Sequence, residues 1–139
     1  MKKSALILAL TITLVAFGQS ETKIEYWDNG QVLSQIQYFD GKRNGSFRHW
    51  YENGQLMNEG FYKNGKMLGP WMSYYANGHL KNSGTYKYTE SGVYSRKDGE
   101  WKYYYENGQL QSKSSIKEGV EDVKFYDKEG HLVPDGAGC

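Results

Sequence analysis

The chain has 139 residues, of which 13 are Tyr, 4 Trp, 5 Phe and 17 Gly, while Pro is limited to 2. Large flat side chains together with turn-forming glycine are typical of short paired strands. The formal net charge is +1, and the longest basic runs after residue 18 are Lys42-Arg43 and Arg96-Lys97. Duplex binding needs clustered positive charge, so this composition disfavours a nucleic-acid partner. The charge does not indicate membrane association, which stays open as an alternative.

Residues 1–18 are predicted to be a secretion signal peptide. Lys2-Lys3 precedes an uncharged apolar run over residues 5–17, and the small residue Gly18 follows. This order is typical of a segment that is removed on export. The alternative is a retained membrane anchor, but the run is shorter than the about 20 residues that a spanning helix needs. We therefore expect cleavage near Gly18 and an exported bacterial protein, periplasmic or secreted.

The only cysteine of the chain, Cys139, is its last residue. No internal disulfide is therefore expected, although an exported protein meets oxidising conditions. No cysteine stands directly after the apolar run, so the lipid attachment of bacterial lipoproteins lacks its acceptor and the mature chain is expected to be soluble. Cys139 is either a thiol without consequence or the site of an intermolecular bridge. Residues 134–139 are predicted to be a flexible tail.

Five turn dipeptides recur at nearly regular spacing and divide the chain into repeated units. The first four are Asn-Gly, a strong hairpin signal, because both residues tolerate the positive φ of a two-residue type I′ turn. Two aromatic residues precede each Asn, and an aliphatic residue follows each Gly. An insertion within residues 87–98 separates the third turn from the fourth. The five sites, called unit turns, are Asn29-Gly30, Asn53-Gly54, Asn77-Gly78, Asn107-Gly108 and Glu129-Gly130.

Connector turns are predicted between the units at Asp40-Gly41, Asn64-Gly65, Asp98-Gly99 and Glu118-Gly119. They would link each hairpin to the next. The predicted fold is therefore all-β, an elongated antiparallel meander of about five hairpins in a single sheet over residues 19–133. No capped apolar pattern with a 3.6-residue period occurs outside the signal segment, so we expect almost no helix in the mature chain.

Alternation along the strands assigns each unit a buried face and a more polar face. With Asn53-Gly54 as the loop, the predicted cross-strand pairs are Tyr51 with Leu56, Trp50 with Met57, and Phe47 with Gly60. An aromatic ring such as Trp71 is expected to shield its glycine partner, Gly84. A slip of one residue would exchange the faces. In the second and third units the predicted buried face carries Phe47, Tyr51, Leu56, Gly60, Tyr62, Trp71, Tyr75, Leu80, Gly84 and Tyr86.

One aromatic residue per unit remains on the more polar face. Polar neighbours such as Arg48, Lys81 and Lys102 leave no second apolar layer to cover these residues, so we expect them to be partly exposed and to bind the partner. The alternative is a structural ladder, because cross-strand aromatic pairs stabilise sheets by about 0.2 to 1 kcal/mol each. This aromatic strip consists of Tyr26, Trp50, Tyr74, Tyr104 and Tyr126.

The repeated unit resembles a known family. The pattern G-x-W-x-x-Y-Y-x-N-G-x-L covers residues 69–80, and G-x-Y-x-N-G covers residues 60–65. Both are similar to the bacterial variant of the MORN repeat, and residues 24–132 resemble exported relatives of the YwqK-family antitoxins. The resemblance implies an elongated sheet of hairpins that binds or scaffolds rather than catalyses. The signal peptide departs from it, since an antitoxin that guards its own cytoplasm would stay there.

The sequence offers no recognisable catalytic, metal or cofactor site. The three histidines, His49, His79 and His131, lack ligand-like spacing. No nucleophile elbow occurs, and the glycines fall at hairpin turns rather than at a strand-to-helix junction. We therefore predict a non-enzyme without cofactor, an exported binding or scaffold protein whose partner is a protein or a cell-envelope component. The alternative is an antitoxin-like or immunity protein that neutralises a single toxin.

Overall fold

The computed structural model describes residues 8–10 and 18–134. The predicted signal peptide lies outside these residues except for 8–10 and Gly18, and the predicted tail, with Cys139, lies outside them except for Pro134. Signal peptide and tail therefore stay predictions. Within the two described ranges, no helix has the length and apolarity needed to cross a membrane.

The regular structure of the described residues is one antiparallel sheet of 12 strands. Each strand pairs with the next along the chain, except that the short β6 pairs only with β5. This order confirms the predicted meander in a single open sheet. The strands are β1 Leu8–Leu10, β2 Ser20–Tyr26, β3 Val32–Phe39, β4 Lys42–Trp50, β5 Leu56–Lys63, β6 Lys66–Met67, β7 Gly69–Tyr74, β8 Leu80–Tyr88, β9 Ser95–Tyr104, β10 Leu110–Lys117, β11 Val120–Tyr126 and β12 Leu132–Val133.

The unit turns are three-residue loops and not the predicted two-residue turns. In the second unit the Tyr51 amide donates to the Gln55 carbonyl at 2.8 Å, and the Gly54 amide donates to the Tyr51 carbonyl at 2.9 Å. Gly54 has a φ of +85°, whereas Asn53 does not have a positive φ. A type I turn followed by a left-handed glycine is a common three-residue hairpin loop. The same bonds close the turns at 27–31, 75–79, 105–109 and 127–131.

This loop shifts the strand register beside each of the first four unit turns. Trp50 lies opposite Leu56, and Met57 is skipped before the next pair. In the third unit Leu80 likewise lies opposite Tyr74. Because cross-strand partners share a face, both leucines belong with the aromatic strip and not with the predicted buried face. The predicted pairs of Tyr51 with Leu56 and Trp50 with Met57 are therefore wrong, and those of Phe47 with Gly60 and Trp71 with Gly84 are confirmed.

Three connector turns adopt the geometry that was predicted for the unit turns. Asn64 and Gly65 have φ of +51° and +80°, and Lys63 pairs with Lys66 directly across them. Both central residues are left-handed, as a type I′ turn requires. The turns at Asp40-Gly41 and Glu118-Gly119 have the same two positive φ angles.

The predicted connector turn at Asp98-Gly99 is wrong, because both residues lie inside β9. The inserted segment lengthens β8 and β9 instead, and the chain turns where the Thr89 amide donates to the Tyr94 carbonyl at 2.8 Å. Gly99 has a φ of +65° near a register shift between these strands. A glycine with positive φ at such a shift is typical of a β-bulge.

The core of the protein is one face of the sheet. Trp101, Tyr62 and Trp71 are only 3%, 7% and 9% exposed, so the predicted burial of the latter two is confirmed. Tyr51 and Tyr75, predicted for the same face, lie instead at unit turns, where their hydroxyls bond to the next unit. The partly buried residues packed against the core are Phe47, Met67, Tyr86, Tyr103 and Ile116.

Candidate binding surfaces

The aromatic strip crosses the sheet along the strand ends that lead into the unit turns. Each of its five members is the last residue of its strand before a unit turn. All five side chains are half-buried, so part of each ring is open to solvent. The strip lies on the opposite face from the aromatic core, because strand side chains alternate and Trp50 and Tyr74 stand an odd number of positions from Phe47 and Trp71.

Hydrogen bonds between successive units hold the strip backbone in place, and we call them the turn ladder. An aromatic side chain at each of the first four unit turns donates to a strip carbonyl in the following unit. A turn asparagine makes a second bond in the same direction. The aromatic bonds are Trp27 to Trp50 at 3.1 Å, Tyr51 to Tyr74 at 2.8 Å, Tyr75 to Tyr104 at 2.7 Å and Tyr105 to Tyr126 at 3.0 Å. The asparagine bonds are Asn29 to Glu52 at 2.9 Å, Asn53 to Ala76 at 2.9 Å and Asn77 to Glu106 at 3.0 Å.

The face of the strip is charged. The Tyr74 hydroxyl donates to Glu59 Oε1 at 2.9 Å, and the other oxygen of Glu59 lies 3.8 Å from Arg48 Nε. Burial, followed by the hydrogen bond and the negative charge of Glu59, raises the pKa of Tyr74 to about 12. Further along, Lys113 and Lys102 lower the pKa of the Glu100 carboxyl by hydrogen bonding.

The opposite face carries an open groove of about 410 Å³, which we call the aromatic groove. Its rings contact one another in sequence across the strands. Phe47 stacks near Trp71 at 5.4 Å between centroids, and Tyr86 meets Trp101 edge-on at 5.1 Å. Such ring pairs contribute about 0.5 to 1.5 kcal/mol beyond their buried area. The groove is lined by Phe47, Asn58, Tyr62, Met67, Trp71, Ser73, Asn82, Tyr86, Lys97, Trp101 and Tyr103.

Two tryptophan rings of the groove lie on glycines of the preceding unit. A Cβ on Gly60 would stand 2.4 Å from the Trp71 ring, and a Cβ on Gly84 would stand 2.0 Å from the Trp101 ring. The expected shielding of glycine by an aromatic ring is therefore present, but the glycine under Trp71 is Gly60 and not the predicted Gly84. The ring leans toward the strand that precedes it in the sheet.

The two indole groups differ in their hydrogen bonds. Trp101 Nε1 donates to the Thr85 carbonyl at 3.2 Å, whereas Trp71 Nε1 is buried without a partner among the described residues. The corresponding carbonyl beside Gly60 is that of Phe61, which accepts from the Leu68 amide at 2.9 Å. A buried polar group without a partner costs free energy, so Trp71 is the less favourably placed of the two rings.

A row of polar side chains crosses the same face beside the rings, and sequence reasoning missed it. Residues directly opposite each other on successive strands build this polar row. The signal was available, since Ser or Asn stands four residues after the glycine in each of the first four unit turns. The polar row consists of Ser34, His49, Asn58, Ser73, Asn82, Tyr103 and Ser112.

The groove is almost neutral. Lys97 is the one charged residue among its lining residues, and its ammonium group lies 4.5 Å from the Trp101 ring centroid. The same group donates to the Tyr103 hydroxyl at 2.5 Å. Lys97 is thus held against aromatic rings by a hydrogen bond and cation–π contacts, and no carboxylate lines the groove.

The histidines are dispersed over the sheet. His79 Nδ1 lies 2.7 Å from the Glu106 carbonyl, and His131 Nδ1 lies 3.1 Å from Asp127 Oδ2. The His49 and Phe47 rings meet edge-on with their centroids 6.4 Å apart. In the described part of the chain, no group of three or more His, Cys, Asp or Glu residues is arranged to hold a metal ion.

Comparison with protein families identifies the repeat. The model of the MORN repeat variant matches residues 22–40, 43–64, 67–92 and 97–118, which together are more than half of the chain. The chain belongs to the MORN repeat variant family. Each of the four matched MORN repeats contains one unit turn. The first, second and fourth end at a connector turn, and the third ends in the turn between β8 and β9.

MORN repeats are generally associated with binding and scaffold roles. The fifth unit turn lies beyond the last matched MORN repeat, although its loop has the same backbone bonds as the others. No curated protein matches the chain significantly. The finer resemblance to YwqK-family antitoxins stays a prediction.

Proposed function

We propose that this MORN repeat protein is an exported, non-enzymatic binding or scaffold protein that holds a cell-envelope component or another protein in the aromatic groove. The observation that carries the proposal is the groove itself. Its rings Phe47, Tyr86 and Tyr103 are half-buried and lie beside half-buried polar side chains, because no second layer covers this face in the described residues. Concave aromatic surfaces with a few polar groups are the usual binding sites of proteins.

The aromatic strip is the second candidate surface of the same protein. Its rings are partly exposed, as a binding strip requires, but their backbone is tied into the turn ladder and Tyr74 is bonded to Glu59. These bonds favour a structural role, since they link successive units. In the groove, Ser73 bonds to Asn58 of the preceding unit. The Asn82 side chain has no hydrogen bond within the described residues, so the groove keeps a polar group available to a partner and is the favoured site.

Variants on the two faces of one strand test which surface binds. Asn82→Tyr places a ring in the groove, whereas Ser83→Tyr places the same ring on the opposite face of β8. With the mature protein as bait and an envelope extract as the source of partners, we expect Asn82→Tyr to abolish capture and Ser83→Tyr to retain it. The melting temperatures of both variants show whether either change has harmed the fold.

The strip is tested in the same assay by changing Trp50 and Tyr74 together to Ser. Retained capture with a lowered melting temperature would mark the strip as a structural ladder. Loss of capture by this double variant, with full capture by Asn82→Tyr, would reject the groove as the site. The captured material also separates the two functions, because a single stoichiometric effector would favour the antitoxin-like alternative and several envelope components would favour a scaffold.

Export is the part of the proposal that rests on sequence alone. Lys2-Lys3 and the apolar run after it motivate removal of about the first 18 residues. Intact-mass measurement on protein recovered from outside the cytoplasm is expected to show a chain that begins near Ser20. Recovery of the uncut chain from the cytoplasm would reject export.

A further inference from the structure

The polar row places one side chain with hydrogen-bonding groups on each of six neighbouring strands. In the order β4, β5, β7, β8, β9 and β10 these are His49, Asn58, Ser73, Asn82, Tyr103 and Ser112. Neighbouring strands lie about 4.8 Å apart. The row therefore repeats a polar contact at that interval, at right angles to the strands and along the length of the sheet.

The middle of the row is available to a ligand. Asn58, Ser73 and Asn82 all line the aromatic groove and are half-buried. The Ser73 hydroxyl donates to Asn58 Oδ1 at 2.7 Å, which orients the Asn58 amide. Within the described residues the Asn82 side chain makes no hydrogen bond. An amide half-buried among rings without a partner is suited to a ligand that supplies both donors and acceptors.

The interval of the row distinguishes among polymers that could lie along it. An extended polypeptide advances about 3.3 Å per residue and a polyproline II segment about 3.1 Å, so neither keeps step with the strands. An extended β-1,4-linked polysaccharide advances by close to one strand spacing per sugar. We propose that the aromatic groove binds an extended, uncharged β-1,4-linked polysaccharide, which crosses the strands with one sugar per strand.

The chemistry of the groove fits such a chain, and this inference rests on the proposed function because it names the ligand of the same groove. The apolar C–H faces of sugar rings pack against the half-buried rings of Phe47, Tyr86 and Tyr103. Sugar hydroxyl and acetamido groups bond to Asn58 and Asn82. Apart from the Lys97 ammonium, which is bonded to the Tyr103 hydroxyl, the lining consists of rings and neutral side chains, which are the groups that bind uncharged sugars.

Calorimetric titration of the mature protein with chitohexaose tests the inference. Maltohexaose is the matched control, because it is also an uncharged chain of six sugars but its α-1,4 links curl it away from an extended form. We expect chitohexaose to bind and maltohexaose to bind at least about tenfold more weakly, as the loss of one or two hydrogen bonds implies. Equal affinity for the two sugars would overturn the argument from spacing.

A matched pair of variants locates the sugar on the sheet. Asn82→Ala removes a groove amide and is expected to weaken chitohexaose binding about fivefold. Ser83→Ala, on the other face of the same strand, is expected to leave the affinity unchanged. Unchanged melting temperatures would show that both variants are folded. Equal affinity in Asn82→Ala and the wild type would overturn the inference.

The outcomes for the ligand and for the site are distinguishable. If chitohexaose fails to bind while Asn82→Tyr still abolishes capture of the envelope partner, the ligand class is wrong and the groove remains the binding site. Identification of that partner as a protein helix seated in the groove would also overturn the polysaccharide. If chitohexaose fails and Asn82→Tyr captures normally, both proposals fail.

Discussion

Two rows of turns flank this sheet at the ends of its strands, and we call them the unit-turn edge and the connector edge. They use similar dipeptides in different ways. At the unit-turn edge, Asn53-Gly54 belongs to a three-residue loop in which only Gly54 has a positive φ, +85°. At the connector edge, Asn64-Gly65 forms a type I′ turn in which both φ are positive, +51° and +80°. Asn-Gly is compatible with either loop, so the dipeptide alone does not decide between them.

The asparagine side chain has different hydrogen bonds at the two edges. Asn53 Oδ1 accepts from the Gln55 amide at 3.0 Å, and its Nδ2 reaches the Ala76 carbonyl of the next unit at 2.9 Å. Asn64 makes no such side-chain bond among the described residues, and its backbone amide donates to Asn44 Oδ1 at 3.2 Å. One edge therefore uses asparagine as a link between units, and the other uses it for its tolerance of left-handed backbone.

The largest effect is expected from Gly78→Val at the unit-turn edge. Gly78 has a φ of +87°, and a β-branched residue is strongly strained there, so we expect a loss of about 2 to 3 kcal/mol in the free energy of unfolding. The nearest atom to an added Cβ is Gln55 Oε1 at 3.2 Å, the end of a flexible side chain. Backbone strain and not a steric clash is therefore the cause. Urea unfolding measures the loss.

Gly78→Asn is the control, because asparagine is one of the few residues that tolerate left-handed backbone. It should recover most of the stability lost in Gly78→Val. If the valine variant unfolds at the same urea concentration as the wild type, the turn does not have the left-handed glycine that defines this edge.

The next largest effect is expected from replacing Asn53 at the unit-turn edge, with Asn64 at the connector edge as its comparison. Asn53→Gly removes two hydrogen bonds, one of them in the turn ladder, and is expected to cost about 1 kcal/mol. Asn64→Gly places glycine at a positive φ that suits it and is expected to change stability by less than about 0.5 kcal/mol. Urea unfolding of the two variants side by side is the measurement. Equal losses would mean that the two edges do not differ in the way the structure shows.

Much of the sheet could be predicted from the sequence, because strand alternation and recurrent turn glycines constrain a meander strongly. The pairing of Phe47 with Gly60 and the burial of Trp71 followed from alternation alone. The loop type did not, because Asn-Gly is compatible with both loops, and the fifth unit turn has the same loop with Glu129 in place of asparagine. One extra loop residue then moved Leu56 opposite Trp50 and to the face of the strip.

The candidate site was harder to predict than the fold. The aromatic strip is visible as one ring per unit, and its partial exposure agrees with the expectation, but its role as a binding site stays a prediction. The polar row becomes visible only when the pairing of consecutive strands is known, such as Asn58 opposite Ser73 and Ser73 opposite Asn82. Single Ser and Asn residues in strands carry no signal until they are compared at the same position in every unit.

A smaller effect is expected at alkaline pH beside the unit-turn edge. The pKa of Tyr74 is raised to about 12, by burial first and then by Glu59, whereas an unfolded tyrosine titrates near about 10. In the folded state Tyr74 therefore keeps its proton to a higher pH than in the unfolded state. The free energy of unfolding falls as the pH rises from about 10 to about 12. Because Tyr74 is only partly buried, we expect its contribution to be under about 1 kcal/mol.

Comparison of the wild type with Tyr74→Phe isolates this contribution from those of the other tyrosines, since the chain has 13. Unfolding free energies measured across that pH range should fall more steeply in the wild type. Glu59→Gln should give an intermediate slope, because burial remains while the charge is removed. Parallel slopes in the wild type and Tyr74→Phe would show that Tyr74 is not perturbed.

The smallest effect is expected at the last unit turn, where the ladder ends. Asp127 occupies the position that holds Trp27 or Tyr51 in earlier units, and Glu129 occupies that of the asparagine. Neither carboxylate can donate a hydrogen bond to a carbonyl of a following unit, as the side chains of earlier turns do. The bonds of Asp127 stay within its own turn instead. Asp127 Oδ1 accepts from the amides of Glu129 at 3.0 Å and His131 at 2.8 Å.

Hydrogen bonds from the amide and the ring of His131, the amide first, lower the pKa of Asp127. A carboxyl with a lowered folded pKa stabilises its turn above the unfolded pKa and ceases to do so as the pH falls through the folded value. We therefore expect the protection factor of the His131 amide, measured by nuclear magnetic resonance hydrogen exchange, to fall in acid while overall unfolding is unchanged. In Asp127→Asn the same amide should lose this pH dependence, because the amide oxygen accepts at every pH. The Gln55 amide is the internal reference, because its acceptor is the uncharged Asn53. If the Gln55 amide shows the same acid transition, the effect belongs to the whole sheet and not to the Asp127 carboxylate.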